Sequence, residues 1–203
     1  MESGMVSLRP LYEFLKTDHG ESSYDGRSPG GRRYAALASS ICQSIAAAQG
    51  CYLWGRYERN GLWQNIYLGK AGFGKTAHLR ARIVEELKDE RACVWCAFVP
   101  EKVLMAAGAK IYPKMWHRYS VHMKRSLKKA GASHIAWVSD AELRNPDVQN
   151  IESDLIETLS PWANVSRPVP PVSLQEHTKL VIAQIRRLIH AHRSERFVVD
   201  KAS

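Results

Sequence analysis

The sequence lacks several features that would assign the chain to a specialised class of protein. No run approaches the roughly 20 consecutive apolar residues that span a membrane, and residues 1–8 lack the charged start and apolar stretch of a secretory signal. Four cysteines in 203 residues are too few for a disulfide scaffold. Acidic residues are also scarce, at 20 against 29 lysines and arginines. We therefore expect a cytoplasmic globular protein without a membrane partner.

The excess of positive charge points to a class of partner. A net charge of +9 gives the surface an attraction for phosphate groups. Nucleic acid is the commonest partner for such a charge balance, ahead of anionic membranes. Charge alone does not identify the partner.

The pattern of apolar residues predicts helices mixed with a small sheet. The expected fold class is α/β (α+β), with a mixed or antiparallel central sheet flanked by helices. Residues 1–49 are predicted to be an N-terminal helical arm and linker, residues 50–166 the main domain, and residues 167–203 a C-terminal helical extension. The predicted helices cover about 5–16, 34–49, 77–90, 113–130, 146–159 and 174–192, and the predicted strands cover 51–57, 65–70, 92–99 and 135–139. In the third of these strands we interpret Cys93 and Cys96 as two thiols, because no second Cys or His pair completes a zinc site.

The predicted hairpin carries two tyrosines on one face. Side chains alternate along a strand, so Tyr52 lies opposite to the Cys51 and Leu53 face. If Ile66 and Leu68 form a buried pair, then Tyr67 joins Tyr52 on the open face of the sheet. The two phenols are either the floor of a site or a cross-strand aromatic pair worth about 0.5 to 1 kcal/mol.

Glu152 occupies an unexpected place in a predicted helix. It falls in the apolar stripe formed by Leu155, Ile156 and Leu159. An unpaired buried carboxylate costs several kcal/mol, which a metal ion or a cation would offset. Alternatively, Glu152 interacts with the dipole at the start of the helix.

Arg82 lies at the margin of another apolar stripe, that of Leu79, Ile83 and Leu87. It is therefore placed to point at the face of the sheet, where its forked guanidinium would suit a phosphate. Arg80 is the competing candidate, and either arginine could simply be solvated.

Taken together, these segments resemble the GIY-YIG nuclease family. Gly50-Cys51-Tyr52 and Tyr67-Leu68-Gly69 resemble its two signatures, and Lys70-Ala71 resembles the nuclease half of the bacterial excision-repair incision subunit. The register of Leu79-Arg80-Ala81-Arg82 selects Arg82 as the family's arginine. The segment from Glu152 to Asn164 resembles the one that holds the metal-ligand glutamate and the closing asparagine. The resemblance covers about residues 50–165.

The resemblance implies a metal-dependent endonuclease that hydrolyses DNA. One Mg²⁺ (or Mn²⁺) would be held by Glu152, Arg82 would hold the scissile phosphate, and a phenol would position or deprotonate the attacking water. Lys70 would lower the pKa of that phenol, and Asn164 would brace the glutamate or a tyrosine. The implied catalytic residues are Tyr52, Tyr67, Lys70, Arg82, Glu152 and Asn164.

The chain departs from the family pattern at two places. Several extra residues separate Gly69 from Leu79, and Glu86 stands one turn after Arg82, where the family usually has His or Tyr. His78 is another candidate for the proton-handling role of that position.

A rival motif overlaps the same region. Residues Gly69 to Thr76 match the phosphate-binding loop pattern G-x-x-x-x-G-K-[ST] after a strand and before a helix. This pattern predicts a P-loop nucleotide-binding protein or NTPase instead, although it leaves Tyr52, Glu152 and Asn164 unexplained. A catalytically silent nucleic-acid-binding module is the third alternative.

One predicted helix is strongly basic and suits a phosphate backbone. Its candidate nucleic-acid-binding residues are Lys114, His117, Arg118, Lys124, Arg125, Lys128 and Lys129. A solvated helix face is the alternative interpretation. We expect double-stranded DNA as the partner, and a homodimer if the protein cuts both strands as a restriction-type enzyme does.

Overall fold

The computed structural model describes residues 1–17, 29–72, 78–88, 93–141, 145–164 and 175–199. The strands are β1 (Glu2–Ser7), β2 (Gly50–Tyr57), β3 (Trp63–Ala71) and β4 (His134–Ser139). The helices are α1 (Arg9–Thr17), α2 (Pro29–Ile41), α3 (Leu79–Lys88), α4 (Cys93–Cys96), α5 (Glu101–Ile111), α6 (Trp116–Lys129), α7 (Asn145–Leu159) and α8 (Glu176–Ala191), followed by a 3₁₀ turn, Arg193–Glu195. None of the helices in these ranges combines the length and apolar character needed to cross a bilayer.

The described strands form one sheet in the order β1-β4-β2-β3. Every neighbouring pair is antiparallel, so the α+β class is confirmed and the sheet is antiparallel rather than mixed. The predicted hairpin is present as β2 and β3. β3 lies at one edge of the sheet and β1 at the other.

Both faces of the sheet are covered by helices. One face carries Tyr52, Trp54 and Trp137, and it packs against apolar residues of α1 to α6. The opposite face carries Leu53, Leu68 and other apolar residues that pack against α7 and α8. The expectation of an open face beneath Tyr52 and Tyr67 is therefore wrong.

A β-bulge changes the register of the hairpin. Trp54 is opposite Tyr67, but the next residue, Gly55, is opposite Asn65, so that Ile66 has no register partner. Ile66 consequently packs in the cluster on the Tyr52 side, whereas Leu68 packs on the α7 side. The predicted alignment of Ile66 with Leu68 is corrected by this bulge.

Four segments differ from the predicted secondary structure. Residues 42–49, expected in a helix, follow the end of α2 at Ile41, and α5 (Glu101–Ile111) was not predicted. Residues 2–7, expected in a helical arm, form β1 because their backbone pairs with β4. Cys93-Val-Trp-Cys96, expected in a strand, is the short helix α4, and the Cys96 side chain is buried.

Candidate active site

Tyr52 is buried beneath α3, and its ring covers Gly69 of the neighbouring strand. Only 1% of Tyr52 is exposed, and the two residues are opposite each other in the ladder. A Cβ on Gly69 would lie 2.4 Å from Cζ of Tyr52, far closer than van der Waals contact allows. A glycine is therefore required at position 69 for the phenol to lie across the hairpin.

The Tyr52 hydroxyl donates a hydrogen bond to Glu86 Oε1 at 2.9 Å. The same oxygen is 3.1 Å from an Arg82 guanidinium nitrogen, and Lys129 Nζ is 3.6 Å from the other carboxylate oxygen. We call these four residues the Glu86 cluster. Arg82 and Glu86 are one helical turn apart on α3, so they share one face of that helix. The cluster gathers two cations and a phenol around one carboxylate whose side chain is 9% exposed.

Lys129 lies in this cluster instead of on the basic surface where the sequence placed it. Its ammonium is 4.7 Å from the centroid of the Tyr67 ring and 5.4 Å from that of Trp54. Its side chain is 17% exposed, because the last turn of α6 packs over this face of the sheet. Lys129 thus connects the basic helix to Tyr67 and Trp54 of the hairpin.

The environment of Tyr52 favours its protonated form. Burial raises the pKa of Tyr52 well above 10, and the charges of Glu86 and Tyr67 raise it further, while Arg82 opposes them. The phenol is thus a hydrogen-bond donor to Glu86 in this conformation. This environment does not favour Tyr52 as the base that deprotonates water.

Lys70 and Glu152 form an ion pair on the opposite side of β3. Lys70 Nζ is 2.6 Å from Glu152 Oε2, and the side chains are 19% and 21% exposed. Burial raises the pKa of the nearby Cys51 thiol to about 12, Glu152 adds to the rise and Lys70 opposes it. The cation that lowers the pKa of Tyr52 is Arg82, so the expected role of Lys70 is corrected.

The predicted site residues therefore form two groups instead of one pocket. Tyr67 faces the α3 and α6 side of β3, and a Cβ on Gly69 would face the same side. Lys70 faces the α7 side, because side chains alternate along a strand. Tyr52, Tyr67 and Arg82 are brought together. Glu152 is brought to Lys70, on the other face of the same edge strand.

Asn164 holds the edge of β3. Its side-chain oxygen accepts a hydrogen bond from the Leu68 amide at 2.8 Å, and its Nδ2 donates to the Leu68 carbonyl at 2.9 Å. The neighbouring Ala163 amide donates to the Ile66 carbonyl at 2.8 Å. Asn164 therefore satisfies the backbone between Tyr67 and Gly69, rather than bracing a glutamate or a tyrosine side chain as predicted.

The other polar residues around α3 have structural contacts. Arg80 Nε donates to the Ile45 carbonyl at 2.8 Å, which leaves Arg82 as the arginine that faces Tyr52. His78 Nδ1 accepts the Ala81 amide at 3.2 Å, at the start of α3. Glu86, which the sequence showed only as a departure from the family pattern, is the residue in contact with Tyr52.

A divalent ion finds few protein ligands in the described ranges. They contain no group of three or more His, Cys, Asp or Glu side chains suited to a metal. Glu152 offers one carboxylate, and Lys70 already contacts one of its oxygens. Mg²⁺ is often held by one or two carboxylates, waters and substrate phosphates. Glu152 therefore fits Mg²⁺ or Mn²⁺ as a single protein ligand, provided that the substrate supplies others.

The basic helix α6 presents most of the predicted cations to solvent. Those that are exposed in the turn before the helix and along it are Lys114, His117, Arg118, Lys124 and Lys128. The side chain of Arg125 lies outside the described residues. The exposed set provides a surface for an anionic polymer.

No protein-family model matches the chain, and neither a curated protein nor a solved structure is significantly similar to it.

Proposed function

We propose that the chain is a metal-dependent endonuclease that hydrolyses phosphodiester bonds in double-stranded DNA. The observation that carries the proposal is the Glu86 cluster, in which Arg82 is fixed beside Tyr52 with 46% of its side chain still exposed. A half-exposed, oriented guanidinium next to a basic helix suits a phosphodiester.

Each residue has a role in this proposal. Arg82 binds the scissile phosphate, and Glu86 orients Arg82 while Tyr52 fixes Glu86. Lys70 and Glu152 act from the other face of β3, so the substrate strand would lie along this edge of the sheet. When bound at Glu152, Mg²⁺ or Mn²⁺ would neutralise charge on a phosphate of the same substrate strand.

The sheet topology favours the nuclease over the P-loop alternative. The strand before a phosphate-binding loop belongs to a βα unit of a mostly parallel sheet, whereas β3 is an edge strand in an antiparallel one. Residues 73–77, which include the whole GKT end of that motif, lie outside the described residues. A homodimer would be needed to cut both strands in one encounter.

The test is cleavage of supercoiled plasmid with Mg²⁺, with Mn²⁺ and with EDTA. We expect nicked or linear product with either metal and none with EDTA. Glu152→Gln and Arg82→Ala should each reduce the rate about 100-fold or more. Glu157→Gln, on the same helix as Glu152, is the matched control and should cleave at the wild-type rate.

Two outcomes would reject the proposal. Wild-type protein that binds plasmid but never cuts it would indicate a silent nucleic-acid-binding module. ATP turnover that disappears in Lys75→Ala, without DNA cleavage, would indicate the P-loop alternative.

A further inference from the structure

The segment between Glu101 and Asp140 contains no acidic residue. It includes α5 after Glu101, all of α6 and β4. Its lysines and arginines are Lys102, Lys110, Lys114, Arg118, Lys124, Arg125, Lys128 and Lys129. With no acid nearby in the sequence to offset these charges, the α5–α6 pair has a strong local attraction for an anion.

The turn between α5 and α6 exposes apolar side chains among these cations. Ile111 is 60% exposed and Met115 is 52% exposed. Lys110 and Lys114, each next to one of them in the sequence, are also exposed. We call residues 110–115 the α5–α6 tip.

The base of this tip is closely packed. The rings of Tyr112 and Tyr119 stack with centroids 4.4 Å apart, and Trp116 packs 5.5 Å from Tyr119. A Cβ on Gly108 would lie 2.5 Å from the Trp116 ring, so α5 and the start of α6 are in close contact. Ile111 and Met115 therefore extend into solvent from a turn that is packed against this aromatic cluster.

We propose that the α5–α6 tip enters the minor groove of duplex DNA. Lys110 and Lys114 contact the phosphates on the two sides of the groove, and Ile111 and Met115 contact the sugars and base edges within it. Exposed Ile and Met side chains flanked by cations are typical of minor-groove wedges, which unstack a base step and bend the duplex. This inference deepens the proposed function and rests on it for the identity of the polymer and for the position of the duplex at Arg82.

Charge selects DNA over a second copy of the chain. Two tips that met would bring four lysines together without a carboxylate between Glu101 and Asp140 to compensate them. The apolar part of the tip is also small for a membrane surface, which needs a long apolar helix face.

The length of α6 places the tip relative to the Glu86 cluster. The helix has 14 residues and ends at Lys129, so it spans about 20 Å at 1.5 Å per residue. That length corresponds to about six base-pair steps of 3.4 Å. In this proposal the duplex axis runs along α6, so DNA held at Arg82 would reach the tip about half a helical turn away.

The experiment measures binding of a fluorescent duplex in EDTA, so that cleavage does not interfere. We expect Ile111→Ser/Met115→Ser to weaken binding 5- to 10-fold without changing its salt dependence. Lys110→Ala/Lys114→Ala should weaken binding and lower the slope of log K against log salt by about two, since each phosphate contact contributes about 0.9. Val103→Ser, at an equally exposed apolar position at the far end of α5, is the matched control and should bind as wild type.

A bending assay and a length series sharpen the result. Energy transfer between dyes at the duplex ends should show a bend with wild type that is lost in Ile111→Ser/Met115→Ser. When duplex is removed beyond about five base pairs on the tip side of the cleavage point, wild type and this variant should bind equally. All of these substitutions are at exposed positions, so unchanged melting temperatures would show that the variants fold.

The outcomes separate this inference from the proposed function. Tip variants that bind and bend DNA like wild type overturn the tip proposal, while wild-type cleavage would leave the nuclease proposal standing. If the tip variants bind DNA more weakly than wild type but wild type never cleaves it, the tip proposal stands and the nuclease proposal is overturned. A wild-type dimer that becomes monomeric on Ile111→Ser/Met115→Ser, or binding to phosphatidylserine vesicles in preference to duplex, also overturns the tip proposal.

Discussion

The two carboxylates next to strand β3 are held in different ways. Glu86 lies beneath α6 with a phenol and two cations around it, and 9% of its side chain is exposed. Glu152, on the α7 side, has Lys70 as its ion-pair partner and is 21% exposed. An acid that contacts a phenol and an arginine in a dry environment, with a lysine nearby, is fixed in place, whereas a half-buried acid with one lysine can exchange that partner for another cation.

This difference assigns the two acids to different tasks. Glu86 cannot release its partners without leaving two cations and the Tyr52 hydroxyl close together with no buried carboxylate between them, since Glu85, the other partner of Arg82, is exposed. In the proposed nuclease it is therefore a positioning residue for Arg82. Glu152 is the acid for which an incoming ion can compete, which agrees with the role that the GIY-YIG resemblance implies for it.

The largest expected effect is on the Glu86 side. Glu86→Ala removes the centre of a buried charge network, and we expect a loss of about 3 kcal/mol in the free energy of unfolding. Chemical denaturation measures it, with Glu85→Ala as the control because the Glu85 side chain is 74% exposed. If Glu86→Ala and Glu85→Ala lower the free energy of unfolding by the same small amount, Glu86 is not held more firmly than an exposed acid.

The second prediction tests the contact between Gly69 and Tyr52. Gly69→Ala places a methyl group against the buried ring, and we expect a cost of about 2 kcal/mol. In a Tyr52→Leu background the same substitution should cost much less, because the ring is gone. If Gly69→Ala lowers the free energy of unfolding equally in wild type and in Tyr52→Leu, the destabilisation does not come from the Tyr52 ring.

The third prediction concerns the Tyr52 hydroxyl and pH. At pH 7, Tyr52→Phe removes a hydrogen bond to a carboxylate and should cost about 1.5 kcal/mol. Because folding raises the pKa of Tyr52, its contribution is fully present below the unfolded pKa of about 10 and is lost as the pH rises further. The stability gap between wild type and Tyr52→Phe should therefore shrink above pH 10. A gap that stays constant to pH 11.5 would contradict the burial of this phenol.

The smallest effect is expected for Lys70 and Glu152. A double-mutant cycle with Lys70→Ala and Glu152→Ala should give a coupling of about 0.5 kcal/mol, because water reaches both side chains. The coupling should decline in 1 M salt, while the cost of Glu86→Ala should change little. A salt-resistant coupling of several kcal/mol would place Glu152 in the same category as Glu86.

Much of the local structure could be predicted from periodicity. Alternation identified β2 and β3, and helical spacing identified α3, α7 and α8 within a few residues. Residues 93–96 were misassigned because a short apolar run fits either period. Residues 2–7 become a strand only through pairing with β4, about 130 residues away, and no local pattern reports such a partner.

Individual residues of the site could be predicted from the sequence better than their positions relative to one another. Arg82 faces Tyr52 as its helical register indicated, and Glu152 meets a cation as its place in an apolar stripe indicated. Lys129 was assigned to the surface because a basic helix does not reveal which of its cations lies under the fold. Glu86 carried one usable signal, since it is one turn from Arg82 and next to the buried Leu87.

The sequence by itself determined which side chains share a helix face or alternate along a strand, because these periods are fixed by backbone geometry. It thereby set Arg82 beside Glu86, and Lys70 opposite to Gly69. Only the tertiary structure decided that α3 and α6 close over Tyr52 and that α7 brings Glu152 to the other face of β3. The reason is that burial and charge pairing depend on contacts between distant segments, and no local pattern encodes which segments meet.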